Sequence, residues 1–307
     1  MQFVLMLLNS PVIGLLALLA AVVWMMRDDK DKVRPLLVIA LTLNLIFGAL
    51  LTIGMSRANS LFPLKYDYIL FLLDRSLGVS SASVAIFTNG VLRTVLDAVY
   101  ALMVPMMILW IPVTGRRTKR GSVVLAYVAE LVAGPMLYAL VPACGPVYAF
   151  RAKWVHPPAV EPAKIHLAGM PNAFPSLHLA TALVLVLFAR GGVWRTIALI
   201  FLAATAMATL STGEHYVIDL FAGMAFGCFA AAIGTLQIRR ALVYLGVSLF
   251  WSLAVRYEYA ILIAHSSILW VMALCTFLLA VSAVVHEWRD TEWEHCPDAE
   301  GTLASAQ

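Results

Sequence analysis

The chain has 307 residues, of which 62% are hydrophobic and 12% are charged, and its formal net charge is +4. Soluble domains are about 45–50% apolar and about 25% charged, so this composition excludes an ordinary soluble protein, a disordered chain and a coiled coil. It predicts a polytopic membrane protein. One apolar span uses about 20 residues, so the length suits one compact helical bundle with modest loops.

The apolar runs predict an all-α transmembrane bundle of about nine spans. In chain order they are Phe3–Met26, Pro35–Met55, Val91–Val113, Ser122–Val141, Ser176–Ala189, Trp194–Leu210, Val217–Leu236, Ala241–Val255 and Ala260–Val285. The stretch Tyr66–Gly78 is half polar, so we expect it to be interfacial or re-entrant and not to span the membrane. Glu130 and Asp97 are acids within spans, and the sequence shows no partner for either.

Lysine and arginine residues predict the orientation of the bundle. They cluster in alternate loops, at 27–34, 116–120, 190–195 and 239–240, so these loops share one face of the membrane. The positive-inside rule makes that face cytoplasmic. The long polar loop Pro142–Pro175 then lies outside and the acidic C-terminal tail lies inside. Short basic clusters between apolar runs are orientation signals, and they do not indicate a nucleic-acid partner.

Two histidines carry the candidate chemistry. His178 follows the long loop, and His215 lies 37 residues later, after a path of two short spans, so both are expected at the outer boundary. Asp219 follows His215 by four residues, on the same helix face, where it can orient the imidazole. This arrangement is suited to phosphoryl transfer, with His215 as nucleophile and His178 as general acid.

Groups that bind phosphate are expected in the same region. Ser176 and the amides around it open a helix and could cradle an anion. Arg151 and Lys153 are the best cationic candidates in the outer loop, and Tyr148 precedes them. His215 and Asp219 could instead be metal ligands, but the sequence contains neither an H-E-x-x-H motif nor a third clustered ligand. A transporter or structural membrane protein is the non-enzymatic alternative.

At these residues the chain resembles a known family. Phe174-Pro-Ser-Leu-His178 and Glu214-His-Tyr-Val-Ile-Asp219 are similar to the second and third signature motifs, P-S-G-H and S-R-x5-H-x3-D, of the type 2 phosphatidic acid phosphatase / vanadium haloperoxidase superfamily. The resemblance implies a helical core of about six spans. It also implies no metal or other cofactor, a phosphohistidine intermediate on His215, and protonation of the leaving group by His178.

The chain departs from that pattern in ways that favour one branch. Leu177 replaces the glycine of the second motif, and Ala208 and Thr209 replace the Ser-Arg pair of the third. The first motif, K-x6-R-P, has one near match, Arg27-x6-Arg34-Pro35, which we reject because it falls on the predicted cytoplasmic face. The remaining pattern resembles the branch of inositol phosphorylceramide synthase, whose members transfer a phospho-alcohol group between lipids.

These features predict an integral membrane lipid phosphotransferase, with the site on the outer face of a bacterial cell membrane. Its substrate would be a phospholipid or a polyprenyl phosphate, and a lipid alcohol would be the acceptor. A lipid phosphate phosphatase that uses water remains the alternative. We expect an N-terminal hairpin at 1–65, a phosphatase-like core at 66–237, a C-terminal hairpin at 238–286 and a cytoplasmic tail at 287–307.

Overall fold

The computed structural model of the chain describes residues 48–115, 122–167 and 169–293. This part of the protein is an all-α bundle with one two-stranded antiparallel pairing, so the predicted fold class is confirmed. The elements are α1 (48–61), β1 (Leu64–Lys65), α2 (Asp67–Ser76), α3 (Ser81–Phe87), α4 (Val91–Ala101), α5 (Met103–Gly115), α6 (Val123–Leu140), α7 (Pro146–Phe150), β2 (Ile165–His166), α8 (Leu177–Phe188), α9 (Gly192–Thr212), α10 (Val217–Gly234), α11 (Ile238–Tyr257), α12 (Tyr259–Ala264) and α13 (Ser266–Trp293).

Five of these helices, α6, α9, α10, α11 and α13, are long and apolar enough to cross a membrane. The number rises to seven if the bent pairs α2–α3 and α4–α5 each count as one span. The predicted span 91–113 is therefore two helices, with a bend of 45° between them. The predicted span Phe3–Met26, most of the span 35–55, and the basic clusters at 27–34 and 116–120 lie outside the described residues.

The half-polar stretch after β1 is part of a bent helix pair, which has the geometry of a broken span or of a re-entrant loop. It forms α2, which is bent by 70° from α3, and five of its ten residues are buried. Ile69, Leu70 and Leu73 pack in one apolar cluster with Tyr216 and Trp251. The polar side chains that suggested an interface, Asp67 and Asp74, also point into the protein.

The helix that carries His178 is shorter than the prediction. The predicted span 176–189 corresponds to α8, which has 12 residues and a length of about 18 Å, less than a bilayer core of about 30 Å. Every residue of α8 except His178 is buried. This helix is therefore the centre of the bundle and not a lipid-facing span.

Two glycines bring α8 and α10 into close parallel contact. A Cβ atom on Gly223 would lie 2.6 Å from the carbonyl oxygen of Ser176, and one on Gly227 would lie 2.7 Å from that of Ala180. Small residues at a spacing of four let helix backbones approach closely in a membrane. Because both helices start at the same end of the bundle, the residues at their N-termini meet there.

Two basic residues, Arg190 and Arg240, lie at the other end of the bundle. The amide of Ser122 donates to the carbonyl of Gly234, and Gly234 contacts Phe188, so α6 begins where α8 and α10 end. Arg190 directly follows this end of α8, and Arg240 pairs there with Glu287 of α13. The separation of the histidines from these arginines agrees with the opposite faces that the sequence predicts.

The contact between α8 and α10 can be tested with one methyl group. We expect Gly227→Ala to lower the free energy of unfolding by about 1–3 kcal/mol, because the added Cβ meets backbone atoms that cannot rotate away. Thermal unfolding in lipid nanodiscs measures the change. Gly246→Ala on α11 is the matched control, since its Cβ would meet nothing within 4 Å. Equal stability of the two variants would contradict the close packing.

Candidate active site

His178 and His215 meet at the end of the bundle where α8 and α10 begin. Their ring centroids are 5.7 Å apart, with the planes at 68°. His215 is 1% exposed and lies in the short connection between α9 and α10, whereas His178 is partly exposed in the first turn of α8. Two residues that are 37 positions apart in the sequence are thus edge-to-face neighbours.

The environment of His215 selects one tautomer. Its Nδ1 lies 2.8 Å from the carbonyl oxygen of Ala173, which can only accept, so Nδ1 carries the proton and Nε2 holds the lone pair. An Asp219 carboxylate oxygen is 3.5 Å from Nδ1, which is longer than a good hydrogen bond. The same oxygen accepts the amide of Tyr216 at 2.7 Å. The carbonyl of Ala173, which the sequence did not indicate, is therefore a closer partner of Nδ1 than the Asp219 carboxylate.

His215 is neutral over the physiological pH range. Burial lowers the pKa of its imidazole to about 4, although the charge of Glu214 and the hydrogen bond to Ala173 both favour the protonated form. The desolvation of the charged ring outweighs these two contributions. A neutral imidazole with a free Nε2 is the form that a nucleophile requires.

Helix α4 contributes residues that the sequence analysis missed. The ring of Tyr100 stacks on His178, with centroids 4.3 Å apart and planes at 24°. On the same face, Nε of Arg93 donates to Asp97 at 2.8 Å, and its Nη1 donates to the carbonyl of Ser211. Positions 93, 97 and 100 follow the spacing of one helix face, which is the only signal that links them in the sequence.

Two buried carboxylates of α2 hold the chain around His215. Asp67 accepts the amides of Cys144 and Gly145, the latter at 2.8 Å, and the hydroxyl of Tyr216 at 3.0 Å. Asp74 accepts the amides of Val217 and Ile218 at 2.7 and 3.0 Å. The only sequence signal for these two carboxylates is weak, an excess of charge in an apolar stretch.

The free helix amides near the histidines belong to α8. The first amides of α10 are bound by Asp74, so they are not available to an anion. In contrast, the amides of Leu177 and His178 have no hydrogen-bond partner among the described residues. The hydroxyl of Ser176 caps α8 by accepting the amide of Leu179 at 3.3 Å, and this serine is fully buried.

The other predicted binding residues lie along the outer loop. The hydroxyl of Tyr148 donates to Glu214 at 3.3 Å, which joins the loop to the residue before His215. Burial and the neighbouring Glu214 carboxylate raise the pKa of Tyr148. Arg151 and Lys153 form the short turn after α7 and are exposed, and neither side chain makes a hydrogen bond or an ion pair within the described segments.

In the part of the chain that the structure describes, no three His, Cys, Asp or Glu side chains cluster in a way that could hold a metal ion. Asp97 and Glu130, for which the sequence showed no partner, both have one in the structure. Asp97 pairs with Arg93, and Glu130 accepts the hydroxyl of Thr181 at 2.8 Å.

The fold is that of an integral membrane protein, with two neighbouring histidines at one end of a helical bundle. Comparison with family models gives a match to the PAP2 superfamily over residues 69–233, which is more than half of the chain. The chain therefore belongs to the PAP2 superfamily, whose members include membrane lipid phosphatases. No curated protein and no solved structure matches it.

The hydrogen bond that the buried Asp67 carboxylate accepts from Tyr216 predicts an effect on stability. Tyr216→Phe removes one donor from a buried carboxylate and should lower the free energy of unfolding by about 1–3 kcal/mol. Thermal unfolding in nanodiscs is the measurement. Tyr127→Phe is the control, because the Tyr127 hydroxyl is also buried but has no partner among the described residues. A loss of stability in Tyr127→Phe that matches the loss in Tyr216→Phe would show that the hydrogen bond to Asp67 is not the cause.

Proposed function

We propose that this protein is a lipid phosphotransferase that works through a phosphohistidine on His215. In this proposal it moves a phosphoryl or phospho-alcohol group, such as inositol phosphate, from a phospholipid to a lipid alcohol. Membership of the PAP2 superfamily supports the coarser assignment, a lipid phosphatase-type enzyme in a membrane. The proposal adds the covalent intermediate, the roles of the residues and the acceptor.

The observation that carries the proposal is the environment of the His215 ring. Its Nδ1 is held by the Ala173 carbonyl, its Nε2 keeps a lone pair, and a second imidazole lies 5.7 Å away. A buried structural histidine would instead have both ring nitrogens bonded. Here the described residues offer a partner for Nδ1 alone.

The first step breaks the bond between phosphorus and the leaving oxygen of the donor lipid. Nε2 of His215 attacks phosphorus as the bond to the leaving oxygen breaks, and protonated His178 gives its proton to that oxygen. The ring of His215 becomes positively charged, and Asp219, 3.5 Å from Nδ1, stabilises this charge. The products are the released lipid alcohol and a phosphohistidine.

The second step transfers the group to the acceptor. The acceptor hydroxyl attacks phosphorus, His178 takes its proton, and the P–N bond to His215 breaks. A lipid alcohol as acceptor makes the protein a phosphotransferase. Water as acceptor makes it a lipid phosphate phosphatase, which is the alternative that the family membership favours.

We assign the phosphate oxygens to the free amides of Leu177 and His178, which lie at the N-terminus of α8. Arg151 and Lys153 are the proposed cations for the donor as it enters from the outer face, and Tyr148 lies at the same edge. The outer-face location is supported by Arg190 and Arg240 at the opposite end of the bundle. In a bacterium this would be the outer face of the cell membrane.

The test uses purified full-length protein in nanodiscs. One reaction contains phosphatidic acid, and the other contains phosphatidylinositol with a long-chain lipid alcohol. Free phosphate and new phospholipid are measured in both. We expect a new phosphodiester lipid without release of free phosphate, and we expect His215→Ala to abolish it, because no other group supplies the attacking nitrogen.

His265→Ala is the control for the loss of a histidine, since His265 is exposed at the break between α12 and α13. Release of phosphate from phosphatidic acid, lost in His215→Ala, would replace the transferase by the phosphatase. Turnover that persists in a folded His215→Ala protein would refute the phosphohistidine mechanism.

The pKa of His215 predicts the pH dependence of the first step. Protonation of Nε2 abolishes attack, so kcat/KM should fall on the acidic side only as the pH approaches about 4. The rate is measured between pH 4 and 8 in buffers of constant ionic strength. Thermal unfolding at each pH separates titration from denaturation. A fall in kcat/KM that is centred near pH 6.5, the ordinary pKa of histidine, would show that His215 is not the titrating nucleophile.

A further inference from the structure

The residue before the proposed nucleophile is an acid whose backbone is fixed. Glu214 lies between α9 and α10, and a Cβ atom on Gly145 would meet its carbonyl oxygen at 2.3 Å. The amide of Val147 donates to the adjacent Gly213 carbonyl at 2.9 Å. The start of the outer loop therefore packs directly against this connection, so Glu214 has little freedom to move away from His215.

One carboxylate oxygen of Glu214 accepts a hydrogen bond, and the other has no donor among the described residues. Its Oε1 accepts the hydroxyl of Tyr148 at 3.3 Å, and no described residue donates to Oε2. The side chain is half-buried, and Tyr148 beside it is 43% exposed, so the pair lies at the open edge of the site. Burial raises the pKa of Glu214, whereas the charge of His215 and the hydrogen bond from Tyr148 oppose this rise.

Several cations at this end of the bundle are already bound to other groups. Arg93 is paired with Asp97 and the Ser211 carbonyl, and Lys65 donates to Asn59 at 2.7 Å. Arg256 donates to the carbonyl of Leu140. The charge of Glu214, in contrast, acts on the ring of His215. An anionic substrate at His215 therefore binds at the residue next in the chain to a carboxylate whose one hydrogen-bond partner among the described residues, Tyr148, is neutral.

We infer that Glu214 makes this site selective for phosphodiesters, which carry one negative charge, over phosphate monoesters, which carry two. The inference rests on the proposed function in one respect, the placement of the phosphorus at His215. It goes further because it names the class of donor and the residue that selects it.

The physical basis is the difference in charge between the two classes. A phosphate monoester has a second pKa near 6, so it is close to doubly charged at pH 8, whereas a diester remains singly charged. The repulsion from a fixed carboxylate scales with that charge and is weakly screened in a partly buried site. The free Oε2 can also accept a hydrogen bond from a headgroup hydroxyl or from the acceptor alcohol.

The test measures binding and does not depend on turnover. The ligands are phosphatidic acid and phosphatidylmethanol with the same short acyl chains, which differ by one methyl group and one charge. Affinities for the full-length protein in detergent are measured by calorimetry at pH 8. All proteins carry His215→Ala to prevent reaction, and Glu214→Gln is compared with Glu214. Gln keeps an oxygen that accepts the Tyr148 hydroxyl.

We expect phosphatidylmethanol to bind about tenfold more tightly than phosphatidic acid when Glu214 is present. In Glu214→Gln this ratio should fall at least threefold, by a gain in affinity for phosphatidic acid. Glu161→Gln is the matched control, since it removes the same charge from an exposed position of the outer loop, and it should leave the ratio unchanged.

The inference is overturned if the ratio of the two affinities is the same in Glu214→Gln as with Glu214. It is also overturned if neither lipid binds. An equal fall in Glu161→Gln would also overturn it, because the effect would then be the general field of the loop. The activity of the protein that retains His215 tests the proposed function separately. Loss of that function would leave the measured binding ratio intact.

Discussion

A non-helical segment inside a membrane bundle needs hydrogen-bond partners from the protein for its backbone amides and carbonyls, because lipid offers none. The shortness of α8 creates this situation, since the buried segments 141–146 and 173–177 complete the bundle at its site end. Asp67 accepts two amides of the first segment, and the Ala143 carbonyl accepts the amides of Asn172 and Ala173. The carbonyl of Ala173 is then left for Nδ1 of His215. The tautomer of the proposed nucleophile thus follows from the same requirement that orders the loop.

The contact between α8 and α10 determines whether the two histidines meet. His178 begins one helix and His215 precedes the other, so their separation depends on how closely and in what register the helices pack. Gly223 and Gly227 set both the distance and the register of the two helices, because they leave room for the carbonyls of Ser176 and Ala180. The amide of Ser176 also donates to the Asp219 carbonyl at 3.1 Å, which fixes the register at the end where the chemistry is proposed.

Local patterns predicted which candidate residues meet at one end of the bundle better than they predicted the surroundings of these residues. His178, His215 and Asp219 were recognisable because motif spacing and membrane topology both place them at one end of the bundle. The role of Asp67 and Asp74 could not be recognised from the sequence, because their hydrogen-bond partners are 77 to 149 positions away. Tyr100 stacks on His178 from a helix whose apolar composition carries no sign of that contact. Hydropathy indicated a short span at 176–189, but it could not show that α8 is buried at the centre of the bundle.

The distribution of charge around His215 suits a reaction in which the ring itself becomes positive. When Nε2 bonds to phosphorus, the positive charge spreads to the Nδ1 side of the ring. The Ala173 carbonyl and the Asp219 carboxylate already lie on that side, so they meet the charge without moving. The amides of Leu177 and His178, at the start of α8, have no hydrogen-bond partner among the described residues. Because Asp74 binds the first amides of α10, the proposed mechanism assigns the phosphate to the N-terminus of α8.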